Sequence, residues 1–288
     1  MIVETTVDGT RASATERDAD DLARAVRLLT GRPIVALTGA GMSTDSGIPD
    51  YRGPGAPPRR PMTYQEFCSG PVARQRYWAR SHLGWRRLAH SAPNDGHRAL
   101  AGLEARGRLL FLITQNVDGL HAEAGTRAQV ELHGRIDEVI CLQCRTVSSR
   151  AELHERLESV NPLVDAAAQD HLATAPDGDV ELEDTSGFHL VDCLVCGGVL
   201  KPHVVFFGEN VPRDRVARCY AAVDAAGALL VAGSSLTVMS GYRFVRHAAA
   251  RGIPVVIVNR GTTRGDPQAT VKIDAGCSDT LSQLFDSL

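Results

Sequence analysis

Four of the seven cysteines form two C-x-x-C pairs, Cys141 with Cys144 and Cys193 with Cys196. A C-x-x-C turn presents two thiolates to one metal ion, and two such turns supply the four ligands of tetrahedral Zn²⁺. Because no coordination position is left open, the predicted zinc is structural rather than catalytic. A redox or disulfide role is the weaker interpretation for a chain expected in a reducing compartment. The other cysteines, Cys68, Cys219 and Cys277, are predicted to be buried apolar side chains.

A glycine turn follows the first apolar run of the sequence. Gly39, Ala40 and Gly41 would let the backbone approach a pyrophosphate, and a helix beginning there offers free N–H groups to its charge. The spacing departs from G-x-G-x-x-G because Thr44 stands at the third glycine position. An ordinary tight turn between a strand and a helix is therefore an equal alternative.

A carboxylate, a phenol and a guanidinium follow this turn at Asp50, Tyr51 and Arg52. The guanidinium of Arg52 could hold a phosphate or a carboxylate through two parallel hydrogen bonds. The alternative is a surface loop with a local ion pair between Asp50 and Arg52, which would contribute little.

Polar residues also follow three other apolar runs. Ligands of open α/β sheets bind outside the carboxyl ends of the strands, so these residues are candidates for a binding site. One alternative is that Asn116 or Asp118 only caps the next helix. The candidates are Gln115, Asn116 and Asp118, then Gly233, Ser234 and Ser235, then Asn259, Arg260 and Gly261.

His133 is the candidate general base. It precedes Gly134 at a predicted strand end, and an imidazole can accept a proton near neutral pH. A lone histidine is more often structural, and His97 and His121 are competing candidates.

The elements that must position these residues alternate between apolar runs and helical segments. Continuous apolar runs predict buried strands, and the alternation predicts an α/β fold. We expect a Rossmann-type parallel sheet with helices on both faces and a smaller inserted zinc-binding module. The predicted strands are 33–37, 109–114, 204–207, 228–232 and 254–258, and the predicted helices are 18–30, 95–106, 212–225 and 241–251.

The chain is expected to divide into a discontinuous Rossmann-type domain and the zinc module. The domain comprises 18–134 and 201–288, and the module comprises 135–200. Within the domain, 48–61 is expected to be a mobile loop and 62–94 a helical segment on the substrate side. Residues 1–17 are expected to form a flexible tail.

Composition narrows the functional classes. The 288 residues carry a net charge of −3, with 43% hydrophobic and 23% charged residues. Neither nucleic acid nor an anionic membrane surface is an expected partner of such a chain. We find no apolar run of the roughly 20 residues that span a bilayer, and the acidic N-terminus does not resemble a signal or transit peptide. A cytoplasmic protein is expected, and its oligomeric state is left open.

Taken together, these strings resemble the sirtuin family. The similarity lies in GAGMSTDSGIPDYRG at 39–53, TQNVDGLH at 114–121, His133-Gly134, the two C-x-x-C pairs, KPHVVFFGE at 201–209, GSSLTV at 233–238 and Asn259. Segments 71–85, 175–180 and 240–245 are similar to the class II branch, near the fourth mammalian sirtuin. The source would then be bacterial.

The resemblance implies an NAD-dependent protein-lysine deacylase, which yields nicotinamide, O-acyl-ADP-ribose and free lysine. In this family the acyl oxygen attacks the ribose carbon as nicotinamide leaves, and the base then takes a proton from a ribose hydroxyl. His133, Asn116 and Asp118 would be the catalytic residues. NAD would contact Gly39, Ala40, Gly41, Asp50, Tyr51, Arg52, Gln115, Asn116, Asp118, Gly233, Ser234, Ser235, Asn259, Arg260, Gly261 and Cys277. The acylated peptide would add as a strand at Val205, Phe207, Gly208, Glu209 and the 240–242 turn.

Two questions stay open at the level of sequence. Tyr77 and Arg80 share one face of a predicted helix and resemble a Tyr-x-x-Arg pair that grips an acidic acyl group in the desuccinylating branch. The alternative is a solvated arginine face with Tyr77 in the core. Mono-ADP-ribosyl transfer to proteins, or binding of NAD or ADP-ribose without catalysis, are alternatives to deacylation.

Overall fold

The computed structural model describes the backbone of residues 8–53, 60–162, 175–178, 180, 182 and 184–288, with side chains from residue 19 onward. The helices are α1 (Asp8–Leu29), α2 (Tyr64–Cys68), α3 (Pro71–Ala89), α4 (Asp95–Ala105), α5 (Leu120–Glu123), α6 (Arg150–Val160), α7 (Arg213–Asp224), α8 (Met239–Ala250) and α9 (Cys277–Ser287). The strands are β1 (Ile34–Thr38), β2 (Leu109–Thr114), β3 (Gln129–Glu131), β4 (Gly134–Cys141), β5 (Val147–Ser149), β6 (Leu200–Val204), β7 (Ala228–Ala232), β8 (Val255–Val258) and β9 (Val271–Ile273).

The predicted parallel sheet is confirmed. Six strands pair in parallel in the order β3-β2-β1-β7-β8-β9. Every residue of β1, β7 and β8 is buried, because helices cover both faces and no strand position faces water. The strand order reverses direction at β1, and the carboxyl ends of β1, β2 and β7 therefore open a crevice there.

Apolar side chains hold the helices to the two faces of the sheet. One face packs against α1, α4 and α9 through residues such as Leu29, Leu100 and Leu281. The other face packs against α7 and α8 through residues such as Val223 and Phe244. We call this sheet and its five helices the large lobe.

A second core surrounds an antiparallel sheet of order β5-β4-β6. Phe67, Tyr77 and Trp78 pack there with Leu153 and Leu157. Helices α2 and α3 therefore belong with α6 and this sheet, which we call the small lobe. The sequence analysis placed 62–94 with the Rossmann-type domain, whereas its buried aromatic side chains meet the small sheet.

The prediction of a strand at 204–207 is wrong. The strand β6 ends at Val204 and pairs antiparallel with β4 in the small lobe. The apolar residues after it form a turn that is bonded to Glu209, since the Phe206 N–H donates to that carboxylate at 2.9 Å.

Several other elements differ from the sequence prediction. α1 begins at Asp8 rather than at the predicted residue 18. The Ala and Arg residues between these two positions favour a helix. Strands β3 and β9 and helix α9 were not predicted; β3 and β9 are only three residues long. Residues 1–7 and 54–59 lie outside the described residues. Within the described part of the chain, no helix has the length and apolar character needed to cross a membrane.

Candidate functional site

A cavity of about 750 Å³ lies between the carboxyl edge of the large sheet and the small lobe. This volume is in the range of pockets that bury a cofactor-sized ligand. All of the predicted catalytic and cofactor-binding residues line it: Gly39, Ala40, Gly41, Asp50, Tyr51, Arg52, Gln115, Asn116, Asp118, His133, Gly233, Ser234, Ser235, Asn259, Arg260, Gly261 and Cys277.

The floor of the cavity is formed by two glycine turns that touch. The Gly41 N–H donates to the Gly233 carbonyl at 2.9 Å, which joins the ends of β1 and β7. A Cβ on Gly41 would lie 3.0 Å from the Gly233 Cα, and Gly233 itself has φ +63°. Side chains are therefore excluded from this floor, and a ligand can approach the backbone closely.

Asn116 and Asp118 are joined through a residue that the sequence analysis missed. The Asn116 amide donates to the Ser43 hydroxyl at 3.0 Å, and that hydroxyl donates to Asp118 at 2.7 Å. Burial raises the pKa of Asp118, although the Ser43 hydroxyl and the Leu120 N–H oppose the shift. Asp118 therefore accepts a hydrogen bond from the first N–H of α5 and also lines the cavity.

His133 is held by two hydrogen bonds. Its Nδ1 donates to the Gln115 carbonyl at 2.9 Å, so Nε2 of the neutral ring is an acceptor and lies 2.8 Å from the Ser240 hydroxyl. Burial lowers the pKa of His133 to about 4. The ring is therefore neutral at pH 7, with its basic nitrogen at the cavity wall.

The competing histidines do not reach the cavity lining. His121 is buried with Nε2 2.9 Å from the Thr38 hydroxyl, and its ring packs 4.6 Å from that of His97. His97 completes a capping box with Asn94 at the start of α4. Both are structural histidines in the large lobe.

The loop after β1 and the far half of the cavity carry the remaining predicted residues. Asp50 accepts hydrogen bonds from the N–H groups of Arg52 and Gly53, so it shapes the local turn. The Ser234 hydroxyl donates to Gln115 at 2.7 Å, and this bond ties the β7 turn to the β2 turn. Cys277 is buried at the start of α9, and burial raises the pKa of its thiol to about 12.

The predicted peptide-binding residues Val205, Phe207, Gly208 and Glu209 also line the cavity. The Val205 N–H donates to the His133 carbonyl at 2.7 Å, so this segment adjoins the candidate base. The ring of Phe207 meets Tyr51 edge to face, with the centroids 6.1 Å apart. The segment therefore touches both His133 and Tyr51.

Lys201 holds this segment and was not singled out from the sequence. Its ammonium is buried, lies 3.0 Å from the Glu209 carboxylate and donates to the Val204 carbonyl. Burial lowers the pKa of Lys201, and the Glu209 carboxylate opposes that shift. Only two lysines occur in the sequence, and this rarity is the feature by which Lys201 could have been singled out.

The four paired cysteines meet at the tip of the small lobe. Their Sγ atoms all lie within 4.8 Å of one another, with 3.5 Å between Cys141 and Cys196 and 3.8 Å between Cys144 and Cys193. Tetrahedral zinc with Zn–S bonds of about 2.3 Å requires sulfurs about 3.8 Å apart. The tetrad therefore fits a structural Zn²⁺.

Three candidate residues lie outside the cavity lining. Tyr77 and Arg80 do not line the cavity: Tyr77 is in the aromatic core of the small lobe, 5.2 Å from the ring of Phe206, and Arg80 donates to the Val180 carbonyl. The α3 face that carries them packs inward because its aromatic rings are buried. Cys68 is exposed rather than buried, since it ends the short helix α2.

Comparisons with known proteins agree with this geometry. The profile of the Sir2 family matches residues 39–240. The chain is 58% identical over 265 residues to the "NAD-dependent protein deacetylase 1" of Mycobacterium avium (strain 104), which covers 91% of this chain and 94% of that protein. A Streptomyces coelicolor protein of the same description is 52% identical over 93% of this chain and 90% of its own length.

Solved structures give the same result. A Sir2 protein with a p53 peptide and NAD⁺ superimposes with a TM-score of 0.71 at 30% identity, over 91% of this chain and 96% of that one. A mutant Sir2 homologue in complex with ADP-ribose gives 0.72 at 27% identity, over 92% and 95%.

Proposed function

This chain belongs to the Sir2 family and is an NAD-dependent protein deacylase, and we propose that His133 is its general base. The observation that carries the assignment of the base is the pair of bonds on the imidazole. The Gln115 carbonyl fixes the proton on Nδ1 and leaves the lone pair of Nε2 at the cavity wall. NAD supplies the ribose to which the acyl group is transferred.

The glycine floor and the polar strand ends are proposed to bind NAD. Gly39, Gly41 and Gly233 suit the pyrophosphate, since no side chain there keeps a bulky group away from the backbone. Asn116 and Asp118, linked by Ser43, are suited to hold a ribose hydroxyl and an amide near His133. The residues Ser234, Ser235, Asn259, Arg260, Gly261 and Cys277 would surround the adenosine half.

Protein substrates are proposed to bind along 205–209 as an added strand. Main-chain hydrogen bonds give such binding its affinity, and the acyl-lysine would enter between Tyr51, Phe207 and His133. The relatives are described as deacetylases, and we therefore propose acetyl-lysine as the substrate class. Arg80 donates to the Val180 carbonyl outside the cavity lining, which favours acetyl-lysine over the acidic-acyl alternative.

We also propose a branch of the family and a cellular location for this protein. The strings at 71–85, 175–180 and 240–245 support membership of the class II branch, near the fourth mammalian sirtuin. The relatives are bacterial, and a tetrad of thiolates needs a reducing compartment, which supports a bacterial cytoplasmic location. Neither ADP-ribosyl transfer nor binding without catalysis has comparable support.

The decisive experiment measures acetyl-lysine peptide deacylation and nicotinamide release with NAD. We expect His133→Ala to lower kcat by roughly 10²–10⁴-fold, the usual contribution of a general base, and to leave NAD affinity nearly unchanged. Because burial lowers the pKa of His133 to about 4, the rate should stay level near neutral pH and fall as the ring is protonated near pH 4.

The matched control is His90→Ala, since His90 is an exposed histidine at the end of α3 and should not affect the rate. Near wild-type deacylation by His133→Ala would transfer the role to another residue. Absence of nicotinamide release from the wild type with an acetylated peptide would refute the deacylase assignment itself.

A further inference from the structure

Ser240 places a hydroxyl group directly on the candidate base. Its Oγ lies 2.8 Å from Nε2 of His133, and both residues line the cavity. Ser240 is the second residue of α8, and the N-cap of that helix, Val238, makes no side-chain hydrogen bond. Ser240 thus lies in the first turn of α8, and its hydroxyl is bonded to His133 rather than capping the helix.

The direction of this hydrogen bond follows from the other side of the ring. Nδ1 carries the proton, because it contacts a carbonyl oxygen, which can only accept. Nε2 of the neutral ring is then an acceptor with one lone pair. Ser240 must donate its proton to that lone pair, and the two lone pairs of its own oxygen remain able to accept.

A ribose hydroxyl in the cavity therefore cannot donate to Nε2 while Ser240 holds it. Either the serine rotates away, or the ribose hydroxyl donates to the serine oxygen. Two hydrogen bonds hold His133 in place. The Gln115 carbonyl holds the ring at Nδ1, and the Val205 N–H holds the main chain at the His133 carbonyl. A ring held in this way keeps Nε2 facing Ser240, and only the second arrangement uses this hydrogen bond as it stands.

We propose that Ser240 relays the proton from the substrate hydroxyl to His133. As the ribose O–H bond breaks, its proton binds to Ser240 Oγ, and the proton of Ser240 moves to Nε2. The ribose oxygen keeps the electron pair with which it attacks, and the serine ends unchanged. This inference rests on the proposed function, and it makes Ser240 a catalytic residue of the same site.

The test compares Ser240→Ala with Ser240→Thr, which keeps the hydroxyl. We expect the alanine variant to lower kcat for deacylation about tenfold or more. Nicotinamide exchange and the KM for NAD should stay within about twofold, because nicotinamide leaves before the base acts. The threonine variant should recover most of the rate. The proton inventory in mixed H₂O and D₂O should be curved for the wild type, with two protons moving, and linear for Ser240→Ala.

The matched control is Arg246→Ala, an exposed position on the same helix that should leave all of these values unchanged. If Ser240→Ala fails to fold, Ser240→Cys replaces it as the variant with a weaker donor, and a reduced rate is expected. An unchanged or faster kcat in the poor-donor variant, or a linear inventory in the wild type, would overturn the relay. A wild type that releases no nicotinamide would refute the proposed function, and the relay with it.

Discussion

The two lobes are stabilised by different means. In the large lobe, aliphatic strands such as β1 and β7 are buried between helices, and the core residues are largely Leu, Ile, Val and Ala. The small lobe has an aromatic core around Phe67, Tyr77 and Trp78, together with a cysteine tetrad. Its single core cluster has fewer residues than the two clusters of the large lobe together, and such small units commonly depend on a metal.

Buried cations mark the same difference. Among the described residues, the buried arginine and the buried lysine, Arg150 and Lys201, both lie in the small lobe. The Arg150 guanidinium lies 5.2 Å from the ring of Trp78 and 5.0 Å from that of Trp85, and burial lowers its pKa to about 10. A buried cation depends on specific partners, so the small lobe should be more sensitive to single substitutions than the large lobe.

Removing the metal should give the largest effect. Cys193→Ala should release zinc and unfold the small lobe, because metal binding there contributes directly to folding. The measurement is metal content together with thermal unfolding in reducing buffer. Cys68→Ala, at an exposed cysteine outside the tetrad, is the control and should keep both values. A wild-type protein without zinc but equally stable would show that the lobes do not differ in this way.

Lys201→Met should destabilise the protein by roughly 3–5 kcal/mol, since it leaves the Glu209 carboxylate without its buried partner. The KM for peptide should also rise, because the segment 205–209 is bonded to this pair, and Lys201→Arg should recover part of the loss. The comparison is Lys272→Met in the large lobe, which removes bonds to the Asn259 and Gly261 carbonyls. We expect a smaller loss there, of about 1.5–3 kcal/mol. Equal losses in both variants would contradict the contrast between the lobes.

Each lobe also contains a pair of histidines whose rings are in contact, which makes stability dependent on pH. The rings of His82 and His154 are 4.3 Å apart in the small lobe, and those of His97 and His121 are 4.6 Å apart in the large lobe. Burial lowers the pKa of His82 from 6.5 to about 3 and those of His154 and His97 to about 4.

The unfolded histidines take up protons near pH 6.5 and the folded ones do not. The free energy of unfolding should therefore be highest above that pH. It should fall between about pH 6.5 and 4. Arg150 and Arg86 face the small-lobe pair, with Glu158 opposing them at His154, whereas Arg98 faces His97. Denaturant unfolding at pH 7 and pH 5 should show a shallower loss for His82→Gln than for the wild type. An identical loss of stability in His82→Gln and the wild type would show that this pair does not cause the pH dependence.

Arg80→Ala should have the smallest effect on specificity. Arg80 donates to the Val180 carbonyl and does not line the cavity, so the ratio of glutaryl-lysine to acetyl-lysine activity should change less than about twofold. Arg74→Ala on the same helix serves as the control. A loss of glutaryl activity confined to Arg80→Ala would return this residue to the acyl site.

The sequence by itself determined the parts that depend on local pattern. Apolar runs gave the central strands, C-x-x-C spacing gave the metal ligands, and the polar residues after each run gave the cavity lining. These inferences succeed because the carboxyl ends of parallel strands must share one edge, whatever the loops between them do.

The tertiary structure alone decided which partners meet across the chain. Ser43 links Asn116 to Asp118, Ser240 contacts His133, and Lys201 pairs with Glu209. It also buried Tyr77 in the aromatic core, although the helical spacing allowed it to face a substrate. Spacing fixes which side chains share a face, but the partner of that face depends on the packing of segments distant in sequence.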